Sequence, residues 1–259
     1  MNKSKVLINL IVLFGIMISA SFGFSQVRDE QLTAKFEDTA GEKIVYITWR
    51  NGDISIKARN TNEVEVDIQG RQRRPDRDIS GLRRVYDGDS VELEQEGNRI
   101  NIDCQSQLKQ VDADIYVPEG ATLIIQNSLN GDVRVEDVKG EIEVKTLNGD
   151  IEVRDAESAV DLYSTNGDIV INFSAFSFSN EVILRTLNSA IDLTLPADAK
   201  ATLFMKTNDE IYADEEFTLE RSGGRGRYSR STKEYNLNGG GVEISLSSLN
   251  GNIYIRKGR

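Results

Sequence analysis

From residue 44 the chain is built of short runs of β-branched and aliphatic residues at period two. IVYIT (44–48), ISIKA (54–58), VEVDI (64–68), VELEQ (91–95) and INIDC (100–104) are separated by Gly, Asn, Asp and Arg. That alternation predicts strands with one face turned to a core. DADIYVPEGATLII (112–125) continues it, and Pro118 within this run rules out a helix because its ring removes a donor and clashes with the preceding turn. No segment carries a capped 3.6-residue period, so the pattern predicts an all-β fold.

Beyond Ala121 the alternation itself repeats. In EIEVKTLNGDIEVRDA (141–156), Ile142, Val144 and Thr146 point one way and Glu141, Glu143 and Lys145 the other; after the Asn-Gly, Ile151 and Val153 return to the first side. AVDLYSTNGDIVINF, EVILRTLNSAIDLTLP and the degenerate ATLFMKTNDEIYAD follow the same plan, and GVEISLSSLNGNIYIRK supplies a last copy. Counted on Asn130, Asn148, Asn166, Asn188 and Asn208, the steps are 18, 18, 22 and 20 residues. Two architectures fit. Asn-Gly is a strong two-residue hairpin signal, which would give an antiparallel meander or sandwich. A step of this length also suits one coil of a β-solenoid, each coil stacked about 4.8 Å on the last. The solenoid is preferred, because recurrence of the same residues at the same corner is required by stacking and not by a meander.

On the solenoid reading, Asn-Gly-Asp-Ile is corner chemistry. Gly supplies positive φ, Asn tolerates the left-handed region while its amide reaches the coil above, Asp caps local backbone donors, and Ile enters the core. Stacking would set Thr146 on Ser164, Asn148 on Asn166 and Ile151 on Ile169.

Composition narrows the function. The 259 residues carry a net charge of −11, which argues against nucleic acid as a partner because phosphate neutralisation needs a basic surface. The absence of histidine removes the common general base and the usual zinc and iron sites. Residues 1–25 read as an export signal: Lys3 and Lys5, an apolar run from Val6 to Phe24, and small residues Gly23 and Ser25 before Gln26. An uncleaved membrane anchor is the alternative; no later segment is apolar enough to span. Residues 26–41 are polar and poorly patterned. The one cysteine, Cys104, is expected to pack as a small hydrophobe on its strand.

Three candidate sites emerge. Asp132, Asp150 and Asp168 would stack as a cation ladder. However, calcium asks for six to eight oxygens, the ladder fails at Ala190 and Asn252, and the plainer reading is structural turn aspartates. Paired carboxylates with an Arg could cleave or eliminate on a polysaccharide, but acidic residues are everywhere here and the turns are too short to wall a cleft. Two Arg-rich stretches break the repeat, 69–84 with Arg71, Arg73, Arg74 and Arg77, and 220–234 with Arg225 and Arg227. Guanidinium forks suit phosphate or carboxylate, so envelope components or acidic glycans are the partners they would take; the alternative is a pair of solvated loops. Tyr46, Trp49 and Tyr163 are placed on the outward side, as scattered surface aromatics rather than a sugar platform.

The order of these elements carries a resemblance. DADIYVPEGATLII, VKGEIEVKTLNGDIEV, STNGDIVI, SAIDLTLPADAKATLFMKTNDEIYAD and the closing NLNGGGVEISLSSLNGNIYIRK together resemble the bacterial putative-adhesin domains of unknown function, over about residues 42–257. The ending looks like that of exported members from the Bacteroidota. The resemblance implies a β-helical, non-catalytic envelope or surface protein without a cofactor, in the periplasm or on the cell surface. It brings no binding residues with it. The Arg-rich insert is longer and more basic than the family pattern. The expectation is therefore one solenoid domain over 42–257. Its role would be a binding or adhesion module, or else a periplasmic structural or signalling-associated protein, with a polysaccharide-active enzyme as the weakest alternative.

Overall fold

The computed structural model describes residues 30–38, 40–69, 91–106, 109–221 and 232–258. Residues 1–25, read above as an export signal, and Arg71, Arg73, Arg74, Arg77, Arg225 and Arg227 lie outside them. The described residues are strands and turns, arranged as a ten-stranded and an eleven-stranded sheet.

The strands on the two sides of the repeat's Asn-Gly, at Asn51, Asn130, Asn148, Asn166 and Asn250, belong to different sheets. Ile142–Thr146 lies in the larger sheet and Ile151–Ala156 in the smaller. The dipeptide therefore turns a corner between sheets and closes no hairpin. Each such pair of strands, here called a rung, stacks on its neighbours through parallel ladders. Ile142, Val144 and Thr146 register on Val160, Leu162 and Ser164, and Ile151 registers on Ile169. Antiparallel pairing is confined to the two ends, where Glu30–Lys35, Glu63–Gln69 and Val91–Glu96 finish one end and Leu219–Arg221 and Lys233–Leu237 the other.

Between the sheets runs the core. Val144, Leu162, Leu184, Ile151, Ile169 and Ile191 are fully buried, and their counterparts above and below continue as aliphatic columns. Burying one such side chain contributes about 1.5–3 kcal/mol. The alternation seen in the sequence is this arrangement read along the chain. The long 22-residue step holds residues 174–181, where Phe176 and Phe178 fold back on Phe173 with ring centroids 5.3 and 5.6 Å away.

Several expectations change. The rungs do not stack in chain order. Their spatial order is 99–118, 44–59, 122–136, 142–156, 160–173, 182–195, 242–257 and 201–213, so the last copy of the repeat lies beneath the degenerate one and not above it. The body also starts before residue 42: Glu30–Lys35 pairs with Glu63–Gln69, and Ala34 and Phe36 are buried. Trp49 faces inward, 0% exposed, with Nε1 donating to the Val111 carbonyl at 2.8 Å. It occupies the last inward station before the corner, where the next rung places Asn127. Tyr46 and Tyr163 are half-buried. Cys104 is buried, as expected of a small hydrophobe.

Positive φ explains only part of the glycine column. Gly52 and Gly131 have φ near +130°, whereas Gly149, Gly167 and Gly251 do not. A Cβ on Gly149, Gly167 or Gly251 would instead overlap the carbonyl oxygen of Gly131, Gly149 or Ser189 in the adjacent rung. Nor does any corner asparagine adopt the left-handed region; that conformation falls to Asp137, Asp155 and Asn238. Crowding makes a clear prediction. Gly167→Ala should lower unfolding free energy by about 1–3 kcal/mol in urea, while Gly120→Ala, which meets no atom within 4 Å, should stay within about 0.5 kcal/mol. Equal effects at the two positions would contradict the stacking account.

Candidate functional site

In the pattern's full form, at Thr146–Asp150 and Ser164–Asp168, a corner carries three polar stations, a Ser or Thr, an Asn and an Asp, and the rungs set like stations on one another. At the first, Ser164 Oγ donates to the Gly149 carbonyl at 3.1 Å, and Thr186 Oγ1 to the Gly167 carbonyl at 3.2 Å. Ser248 and Thr207 repeat the contact with Ser189 and Gly251. Thr146 is the exception: Asn127 Nδ2 already donates to the Gly131 carbonyl at 3.0 Å, and the buried Thr146 hydroxyl is left without a protein partner.

The second station is an amide ladder. Asn148 Nδ2 donates to Asn130 Oδ1 at 3.3 Å, Asn166 to Asn148 at 2.7 Å, Asn188 to Asn166 at 2.7 Å and Asn250 to Asn188 at 3.0 Å. Such ladders also hold cross-β stacks together.

At the third station lie the residues considered as a cation ladder. Asp132, Asp150 and Asp168 do stack on successive rungs, and each uses Oδ1 to accept a backbone N–H from the next. Asp150 N–H reaches Asp132 at 3.0 Å, Asp168 N–H reaches Asp150 at 2.8 Å, and Ala190 N–H reaches Asp168 at 2.8 Å. Asp53 extends the series by accepting from Asp132 N–H at 2.9 Å, and Asp112 begins it by accepting from Asp53 N–H at 2.9 Å. The carboxylates are thus engaged as caps between rungs. Among the described residues no group of three or more His, Cys, Asp or Glu is placed to hold a metal ion.

The outward face of the smaller sheet is a lattice of ion pairs. Lys57 Nζ lies 2.7 Å from Glu136, Arg154 lies 3.1 Å from Glu136 and 2.6 Å from Glu152, and Arg134 lies 3.5 Å from Glu152. The hydrogen bond from Lys57 holds the Glu136 carboxyl below the ordinary range. At one end of this face the charges are unbalanced. Asp67 sits directly across from Asp114, and burial, then the Glu65 charge, pushes its carboxyl upward. At the other end Tyr212 stacks on Tyr254 with centroids 5.3 Å apart, and Arg256 leans over Tyr254 while pairing with Asp192 at 2.7 Å. Neither feature is signalled in the sequence, since each joins residues that only the stacking order brings together. The described residues offer well-satisfied faces and corners; the Arg residues proposed as ligand forks fall outside them.

No protein-family model matches the sequence, and no curated protein matches it. Similarity appears among solved structures. The crystal structure of a putative cell adhesion protein from Clostridium sporogenes covers 89% of this chain and 100% of its own, with a TM-score of 0.51 and 13% identity. That of a putative adhesin from Bacteroides fragilis covers 90% of this chain and 98% of its own, with a TM-score of 0.41 and 11% identity. The likeness to the first is one of fold.

Two measurements probe this surface. Asn166→Ala removes two rungs of the amide ladder and should cost about 1–2 kcal/mol in urea unfolding, since an exposed neutral hydrogen bond contributes about 0.5–1 kcal/mol; an unchanged midpoint would make the ladder ornamental. The second concerns pH. Asp67 binds its proton more tightly folded than unfolded, so its contribution favours folding below its unfolded pKa, near 4, and is lost as pH rises through the higher folded value. Glu136 behaves oppositely: its contribution is present above its unfolded pKa and lost as pH falls through the depressed folded one. Asp67→Asn should therefore raise Tm at pH 7 but not at pH 3, and Glu136→Gln should lower Tm at pH 7 with a difference that shrinks in acid. Thermal melts followed by circular dichroism would show it.

Proposed function

We propose that this chain is an exported, non-catalytic β-solenoid that serves as a rigid binding module of the adhesin type on the bacterial cell envelope. The observation that carries the reading is the stack itself. Identical corners lie on identical corners through parallel ladders, and the hydroxyls, amides and carboxylates there mostly bond one another. Such a stack presents long sheet faces, a shape suited to displaying a surface. The fold-level likeness to a putative cell adhesion protein and the signal-like residues 1–25 support the same reading. No described helix is long and apolar enough to cross a membrane.

Recognition is assigned to the Arg-rich stretches, through Arg71, Arg73, Arg74, Arg77, Arg225 and Arg227, with phosphate- or carboxylate-bearing envelope glycans as the ligand class. Guanidinium forks bind such groups bidentately. Replacing Arg71, Arg73, Arg74 and Arg77 together by Ser should weaken binding to whole cells or to an acidic-glycan array at least tenfold, because each charge-assisted contact is worth about 1.5–3 kcal/mol. Undiminished binding would take recognition away from that stretch. Protease treatment of intact cells addresses the site of action. Digestion of the full-length protein without lysis fits an adhesin, and protection until the outer membrane is opened would replace that role with a periplasmic scaffold.

A further inference from the structure

Immediately before the corner asparagine in six of the rungs stands one residue on the outward side, Arg50, Leu129, Leu147, Thr165, Leu187 and Leu249, of which the leucines are exposed and Arg50 and Thr165 half-buried. The four leucines are 37, 41, 39 and 47% exposed, in that order. Nothing inside the chain demands leucine at this station, since Arg50 and Thr165 fill it in two of the rungs. Along the stack the leucines make a ridge, interrupted once by Thr165, whose ends are four rung spacings or roughly 19 Å apart at 4.8 Å per rung. The flanks of the ridge differ. Two residues earlier, on the outward face of the larger sheet, one registered row carries Lys145, Tyr163, Arg185 and, at the far end, Lys206. Arg185 has no ion-pair partner among the described residues. On the other side of the corner runs the column Asp132, Asp150 and Asp168. The corner is thus striped lengthwise, basic, apolar, amide and acidic.

We infer that the ridge docks on the same ridge of a second copy of this chain, side by side with both stacks running in the same direction. The stripe order selects that geometry. A two-fold axis parallel to the ridge lays leucine on leucine and sets the Lys145 and Arg185 row of each copy toward the Asp150 and Asp168 column of the other. An axis across the ridge lays basic on basic and acidic on acidic, which repels. The pairing is isologous, one patch meeting itself. Because both copies share one rung spacing, a contact made at one rung stays in register at the next. An interface this narrow belongs to the small, weak class, so the pair should form and dissociate with concentration.

Sedimentation velocity on the full-length mature protein, from low micromolar to millimolar concentration, should show a monomer–dimer equilibrium. Leu147→Ser with Leu187→Ser should weaken it at least tenfold while leaving the thermal melt in place. Geometry is read by disulfide trapping at the two ends of the ridge. Leu129→Cys should cross-link to Leu129→Cys, and Leu249→Cys to Leu249→Cys, whereas a mixture of the two variants should yield no link between positions 129 and 249. A 129–249 link would overturn the parallel arrangement. A wild-type protein that stays monomeric throughout, or one whose dimer survives the double serine variant, would overturn the inference. So would a monomer that instead sediments with anionic phospholipid vesicles through these leucines, because the ridge would then be a membrane contact.

Discussion

The structure depends on how closely one corner lies on the next. At the glycine station the carbonyl oxygen of one rung occupies the space that a Cβ of the following rung would need, as Gly131 does for Gly149 and Gly149 for Gly167. That approach brings the flanking strands to ladder distance, and the remaining corner chemistry follows from it. Once the backbones touch, the Asn amides come within reach of each other, the Asp oxygens meet the next rung's N–H groups, and the Ser and Thr hydroxyls meet the glycine carbonyls. A hydrogen bond at an exposed corner contributes little alone; repeated along the stack, these bonds fix the register that keeps every aliphatic side chain in its column.

The same economy limits what the corners can do chemically. An aspartate that accepts a backbone N–H from the neighbouring rung is a cap before it is a ligand, and an amide bonded above and below has little left for a sugar. Under the binding role proposed above, recognition falls to features that depart from the repeat: the Arg-rich stretches, the apolar ridge, or the aromatic pair Tyr212 and Tyr254. Departure from consensus, here as in other repeat proteins, is where individuality resides.

Much of this was legible in the sequence, and the failures are instructive. Period-two alternation located the strands, and the recurrence of Asn148 on Asn166 and Ile151 on Ile169 foretold which residues stack. Asn-Gly alone could not separate a hairpin from a corner, because both use the same small, turn-prone residues; only the pairing of Ile142–Thr146 and Ile151–Ala156 with different neighbours decides it. Trp49 was misplaced because an aromatic before a turn looks like a surface residue until Val111 is seen accepting from its indole N–H. The strand Glu30–Lys35 escaped notice because an edge strand with one apolar contact face carries little periodic signal. The cross-strand ion pairs Lys57–Glu136, Arg154–Glu136 and Arg134–Glu152 were invisible since they join residues 18 or more positions apart. The order of rungs was beyond reach for the same reason: a repeat announces that it stacks, but not on which copy.

That order has a consequence for how such a molecule can change in length. The rungs nearest the two chain termini, 44–59 and 242–257, are both interior to the stack, clasped on either side by segments from elsewhere in the chain. Neither can fray without parting two ladders at once. A copy inserted beside either of these rungs would find its natural neighbour already covered. Lengthening the stack is simplest by duplication within the middle, between residues 122 and 195, where chain order and stacking order coincide. The body is bounded as a woven band is by its selvedges: it can be widened from within, but no new thread can be laid on by its loose ends.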